Sequence, residues 1–276
     1  MSATDQIQKA AQAVKEADAL LIAAGAGMGV DSGLPDFRGV QGFWNAYPVI
    51  AKLGLCFERM ANPDWFQKDP HLAWAFYGHR LNLYRRTEPH EGFRQLLEVA
   101  SRKPKGYFVF TSNVDGQFQK AGFDPERIVE CHASIHHFQC SRPCGDRIWD
   151  AVGETVRIDE AAFRALEPLP TCKRCSAVAR PNILMFDDWF WFSDRTDAQQ
   201  GRFETWLNDL SQSSATLAVI ELGAGTAIPT VRRSAESLSR KLHATLIRIN
   251  PRDATVPVGQ IGLSLGALAG VRAIIV

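Results

Sequence analysis

Apolar residues run along the chain in two rhythms. Largely apolar stretches at residues 19–24 (ALLIAA), 107–111 (YFVFT), 127–131 (RIVEC), 217–222 (LAVIEL), 245–250 (TLIRIN) and 272–276 (RAIIV) are short and lack regular polar alternation. That is the pattern of strands covered on both faces. Between them, apolar residues recur three and four apart: Ile7, Ala10, Val14 and Ala17 in residues 4–17, Phe93, Leu96, Leu97 and Ala100 in 92–102, Phe203, Trp206, Leu207 and Leu210 in 198–211, and Val231, Ala235, Leu238 and Leu242 in 229–242. This spacing predicts helices, the first capped by Thr4 or Asp5. Strands alternating with helices predict an α/β fold, a doubly wound and mainly parallel sheet of Rossmann type.

Two segments break the rhythm. Residues 40–86 are rich in aromatic side chains, with Pro48, Pro63 and Pro70 as breakers, and read as several short helices and loops. Residues 136–185 carry four of the six cysteines. Residues 40–86 read as inserted after the first strand, and 136–185 as a second interruption of the α/β rhythm.

Composition changes this picture little. At 276 residues with 22% charged side chains and a net charge of +1, nothing points to nucleic acid or a membrane surface as partner. No apolar run approaches the ~20 residues of a bilayer span. The N-terminal MSATDQIQKA lacks the basic and apolar regions of a secretory signal. The expected location is cytoplasmic, with reduced cysteines. Cys140-x3-Cys144 and Cys172-x2-Cys175 are two close thiol pairs, a donor set suited to tetrahedral zinc. Four thiolates leave no open position, so that zinc would be structural. Cys56 and Cys131 are left as core thiols, and His136 and His137 as surface residues of the cysteine-bearing module.

The strand at residues 19–24 ends in Gly25, Gly27 and Gly29. Glycine allows a sharp turn and close approach of backbone to a ligand, and a dinucleotide pyrophosphate is held at such a strand end. The spacing is GxGxG and not the dehydrogenase GxGxxG, and no acidic ribose ligand follows on a second strand about 20 residues on. The same corner of the sheet should receive Thr111-Ser112-Asn113-Val114-Asp115-Gly116 after the second strand, Glu130-Cys131-His132-Ala133 after the third, and Gly223-Ala224-Gly225-Thr226 and Asn250 after later ones. A histidine there suits general-base work near neutral pH.

Gly25-Ala26-Gly27 followed by Ser32-Gly33-Leu34-Pro35-Asp36-Phe37-Arg38 resembles the signature of the sirtuins, NAD-dependent protein deacylases, and later motifs follow in that family's order. The resemblance implies that Gly25, Ala26, Gly27, Gly29, Asp36, Phe37, Arg38, Ser112, Asn113, Asp115, Gly223, Ala224, Gly225 and Asn250 bind NAD as a consumed co-substrate. Asn113 would serve the nicotinamide ribose, Asp115 the carboxamide, and His132 would be the base. Arg180-Pro181-Asn182-Ile183-Leu184-Met185-Phe186-Asp187-Asp188 resembles the family's RPxVVxFGE, an edge strand that pairs with an acyl-lysine peptide through Ile183, Leu184 and Phe186. Asp187 stands at its glycine, a side chain that could block or reshape the acyl-lysine path. Ala133 stands at a glycine that follows the base, and Ser112 at a glutamine. Tyr77-x-x-Arg80, with Phe43-Trp44 upstream, resembles the class III pair that receives a succinyl or malonyl carboxylate. The implied products are lysine, nicotinamide and O-acyl-ADP-ribose. An NAD glycohydrolase or ADP-ribosyltransferase of the same fold is the alternative, and a non-catalytic binding module a third reading.

Overall fold

The computed structural model describes residues 2–35, 47–52, 54–142, 144–145 and 148–275. In chain order its strands are β1 (Ala19–Ala24), β2 (Tyr107–Thr111), β3 (Ile128–Glu130), β4 (Ala133–Cys140), β5 (Trp149–Asp150), β6 (Ile158–Asp159), β7 (Arg164–Ala165), β8 (Ala179–Ile183), β9 (Leu217–Leu222), β10 (Thr245–Ile249) and β11 (Ile261–Leu263). Helices of eight residues or more are α1 (Ala3–Glu16), α2 (Pro70–Arg86), α3 (Glu91–Ala100), α4 (Asp194–Ser213), α5 (Thr230–Lys241) and α6 (Ala267–Ile274).

Six strands form a parallel sheet in the order β11-β10-β9-β1-β2-β3. The chain moves from β1 to β2 and β3 on one side and returns to β9 on the other. The switch point therefore lies beyond the carboxyl end of β1, where open α/β sheets bind ligands. Alternation along β1 explains its continuous hydrophobicity. Leu20, Ile22 and Ala24 pack on one face with Val14, Phe93, Leu96 and Val271. Ala19, Leu21 and Ala23 pack on the other with Phe203, Trp206, Val231 and Ala235. Both faces are dry, so every position must be apolar.

A third apolar cluster joins α2 to the antiparallel sheet β5-β4-β8: Trp74, Phe76 and Tyr77 meet Ile135, Phe138, Ile183 and Met185. The Trp74 Nε1–H donates to the Ala179 carbonyl at 2.9 Å.

Several expectations are corrected here. Residues 70–86 form one long helix, not short pieces, and Pro70 starts it. Asp69 caps the helix by accepting from the Leu72 N–H at 3.1 Å, and proline at the first helical position has no N–H to leave unpaired. The run at 272–276 is not a strand; most of it ends α6, and the sixth strand is β11. Ser2, not Thr4 or Asp5, caps α1, with Asp5 completing a capping box.

Candidate active site

The loops after β1 and β9 lie backbone against backbone. The Gly25 N–H donates to Leu222 and the Gly27 N–H to Gly223, both at 3.0 Å. A Cβ at Gly25 would fall 2.7 Å from the Ala224 Cα, and one at Gly27 2.7 Å from the Gly223 Cα. Gly223 has φ +59°. So these glycines are required by two loops stacked on each other.

Beside them opens a groove of about 610 Å³ lined by Gly27, Gly223, Gly225, Thr226, Arg232 and Asn250. Asn250 donates to the Ala224 carbonyl at 2.9 Å and accepts from the Arg252 and Asp253 N–H groups. Arg232 donates to Ala224 at 3.0 Å and to the Asp253 carbonyl, tying the two loops together. Gly25, Gly29 and Ala224 do not line the groove; the first and last lie against each other, and Gly29 packs on Leu34. Asp36, Phe37 and Arg38, with Phe43 and Trp44, lie outside the described residues.

Ala26 also lines a second cavity, of about 240 Å³, whose walls are side chains from scattered segments. Tyr77 and Arg80 come from α2, Ser112, Asn113 and Asp115 from the loop after β2, His132 from the loop after β3, and Ile183, Leu184 and Phe186 from the end of β8. The Asn113 amide donates to the Gly25 carbonyl at 3.0 Å, locking the β1 and β2 loops together. Asp115 is buried and accepts from the Gln117 N–H at 2.9 Å. Burial outweighs that bond and pushes its carboxyl up to about 6.

Arg80 is buried, with Nε and Nη2 donating to the Tyr84 hydroxyl at 3.1 and 3.0 Å. Its guanidinium stands 5.3 to 5.8 Å from the rings of Phe57, Phe76, Tyr77 and Tyr84, a range in which cation–π attraction is felt. The Tyr77 hydroxyl is buried with no hydrogen-bond partner among the described residues, and burial raises its pKa.

The backbone around His132 and after β8 explains two departures from the sirtuin pattern. Ala133 has φ +57° and Asp187 φ +54°. Both occupy positions where the pattern has glycine, because the chain there is left-handed; aspartate tolerates that region better than most residues. Asp187 is exposed and does not line this cavity. Asp188 instead forms a two-pronged pair with Arg180 at 2.7 and 2.8 Å, the side chains 0% and 2% exposed. The Leu184 N–H donates to the His132 carbonyl at 3.2 Å, joining the histidine to the end of β8.

The four module cysteines converge. Their sulfurs lie within 4.8 Å of one another, with Cys140–Cys175 at 3.5 Å and Cys144–Cys172 at 3.6 Å. A tetrahedron with Zn–S bonds of ~2.3 Å has sulfur–sulfur edges of about 3.8 Å, so the residues fit a zinc ion. Cys56 and Cys131 are half-buried thiols outside any disulfide, and Cys131 packs against the core cluster that includes Phe110 and Val129. His136 and His137 are not surface residues. His136 Nε2 stands 2.9 Å from the Asp115 carbonyl oxygen, and burial pushes the His137 imidazole down to about 4. Sequence reasoning also passed over Tyr84, although its i+4 spacing from Arg80 was a usable signal, and Met185 and Val114, which gave none.

The Sir2 family profile matches residues 25–204. An NAD-dependent protein deacylase of Aquifex aeolicus is 27% identical over 232 residues, covering 84% of this chain and 83% of that protein. One from Thermus thermophilus is 25% identical over 273 residues, covering 96% and 92%. Among solved structures, a Sir2 homologue mutant in complex with ADP ribose superposes with a TM-score of 0.71 at 23% identity, covering 97% of this chain and 94% of that one. A Sir2 protein bound to acetylated peptide gives 0.66 at 18% identity, covering 97% and 96%.

Proposed function

The chain belongs to the Sir2 family, and from that premise we propose that it is an NAD-dependent protein lysine deacylase releasing nicotinamide and O-acyl-ADP-ribose. The observation that carries this reading is convergence. His132, Asn113 and Asp115 share one cavity with the end of β8, and that cavity meets the glycine-loop groove at Ala26. In this reading residues 1–39, 87–135 and 185–276 are the NAD-binding part, and 40–86 with 136–184 the smaller one.

NAD, when bound, supplies a ribose carbon activated by a cationic nicotinamide leaving group. The residues here do the rest. Gly27, Gly223 and Gly225 leave room for the pyrophosphate, and Asn250 serves the adenosine side. Above pH 6 Asp115 is an acceptor for the carboxamide N–H. Asn113, held by Gly25, orients the nicotinamide ribose. His132 takes a proton at a ribose hydroxyl. Tyr77, Phe57 and Met185 keep water from the reacting atoms. Cys140, Cys144, Cys172 and Cys175 fill the coordination of a structural zinc. β8 ends its sheet among the described residues, and an acyl-lysine peptide adds to it by strand pairing.

Arg80 and Tyr77 favour an acidic acyl group, succinyl or malonyl, as the preferred substrate. The motivating observation is a buried guanidinium beside a hydroxyl lacking a partner, which a carboxylate satisfies. Nicotinamide release is measured without peptide, with acetyl-lysine peptide and with succinyl-lysine peptide. Release is expected only with peptide and to be faster with succinyl; peptide-independent release would indicate a glycohydrolase. In Arg80→Met the succinyl reaction should fall about tenfold more than the acetyl one, since a charged hydrogen bond is worth about 1.5–3 kcal/mol. Equal loss for both sinks the acidic-acyl assignment.

A further inference from the structure

We infer that Glu130, clamped by Arg195, Thr196 and Gln199 of α4, is a positioning residue for His132; this rests on the deacylase reading above. Glu130 ends β3, a three-residue strand at the border of the six-stranded sheet that pairs only with β2 among the described residues. Such a strand has no ladder on its outer side to hold it. α4 supplies the missing hold. The Glu130 N–H donates to Gln199 Oε1 at 3.0 Å, the Thr196 hydroxyl donates to the Glu130 carbonyl at 3.3 Å, and Gln199 Nε2 donates to Glu130 Oε2 at 3.4 Å. Arg195 Nη2 donates to the same Oε2.

Stability alone does not account for this pair. The Glu130 side chain is 1% exposed, and the pair is one-pronged: Glu130 Oε1 and Arg195 Nη1 are both buried with no hydrogen-bond partner among the described residues. A half-satisfied buried ion pair is seldom more stabilising than apolar packing in its place. Its geometric consequence is local. Two residues on, His132 is held on its other side, where its carbonyl accepts from Leu184, while the Cys131 N–H between them donates to Thr111 at 2.9 Å. The histidine backbone is thus pinned between α4 and β8, with the left-handed Ala133 directly after it. A shift of Glu130 moves His132 relative to Asn113, which is anchored separately on Gly25.

The test compares Arg195→Met and Arg195→Lys with the wild type by two measurements. The first is kinetic. Exchange of labelled nicotinamide into NAD reports the reversible departure of nicotinamide, whereas product formation also needs the proton transfer to His132. Arg195→Met should lower product formation about tenfold, less than the ~10²-fold that a ~1 Å misplacement of a catalytic group can cost. Exchange and the KM values for NAD and peptide should stay within about twofold, and Arg195→Lys should restore most of the rate. The second is amide hydrogen exchange without ligand. Protection at Cys131 and Leu184 should fall in Arg195→Met, while Ile22 and Val109 in the centre of the sheet stay protected. Proportional loss of exchange and product, or protection lost evenly through the sheet, overturns the inference. A wild-type chain that releases no nicotinamide with any acyl peptide removes the deacylase reading and this inference with it. An active wild type with Arg195→Met unchanged removes the clamp alone.

Discussion

The two cavities that meet at Ala26 are built from different materials. The groove beside the β1 and β9 loops is a backbone construction, with glycines stacked where a Cβ would collide and Asn250 and Arg232 bonded to main-chain carbonyls. The cavity around His132 is a side-chain construction, assembled from α2, two strand ends and the end of β8. A backbone site tolerates almost any side chain that does not intrude. A side-chain site depends on every segment that delivers a wall, including the small sheet that the cysteine cluster anchors at Cys140, the end of β4.

Removing metal tests that dependence most severely. Structural zinc commonly carries about 10–16 kcal/mol of coupled folding free energy. Dialysis against a strong chelator should abolish acyl-peptide turnover and expose the amides of β4 and β8 to exchange, with β1 and β9 still protected. Even loss across both sheets would show that the two constructions do not stand apart. His132→Ala strikes the side-chain cavity alone. Product formation should drop about 10²–10⁴-fold, the usual worth of a general base, with NAD binding retained by calorimetry. Full turnover in this variant would remove the base from the histidine.

Asp115 carries a pH signature. Its carboxyl ordinarily titrates near 3.8 and is raised to about 6 by burial. The folded protein therefore holds that proton more tightly than the unfolded chain. Its contribution is fully present below pH 3.8 and is lost as pH rises through about 6, for a cost approaching about 3 kcal/mol at pH 8 as an upper bound. Asp115→Asn should be more stable than the wild type at pH 8 and lose that slope; urea unfolding across pH 4.5–8 checks it, and an unchanged slope overturns it.

The smallest effect separates stacking from ligand approach in the groove. Gly27→Ala should destabilise by about 1–3 kcal/mol through overpacking against Gly223. At Gly225 a Cβ meets nothing within 4 Å, so Gly225→Ala should fold normally. Any weakening of NAD binding in Gly225→Ala then reports the ligand itself. Equal melting of the two variants would contradict the stacking account.

Much of the frame was legible because burial on both faces leaves a simple mark. β1, β2 and β9 coincide with their largely apolar runs, and the buried Glu221 of β9 is accommodated by its pair with Arg248. The failures have equally physical causes. Residues 72–78 of α2 are buried all round, so no polar stripe advertised a helix. α6 is short and apolar enough to pass for a strand, whereas β11 is three residues long, with Gly262 pressed against the Ala254 carbonyl. The candidate site divides along the same line. Gly27, Asn113, Asp115 and His132 were legible as residues at strand ends, but Tyr84, Glu130, His136 and the Arg195–Gln199 clamp were not. Glu130 and Gln199 lie 69 positions apart and His136 and Asp115 21 apart, beyond any local pattern, whereas Tyr84 stands only four residues from Arg80.

The sequence by itself determined the sheet, the glycine turns, the thiol set and the order of motifs, because each is a local demand of burial, φ or ligand chemistry. Only the tertiary structure decided that the glycines serve loop stacking, that Asp187 stands outside the cavity, and that Arg80 sits in a box of aromatic rings. Those outcomes depend on which distant segments meet, and contacts between distant segments leave no period in the chain.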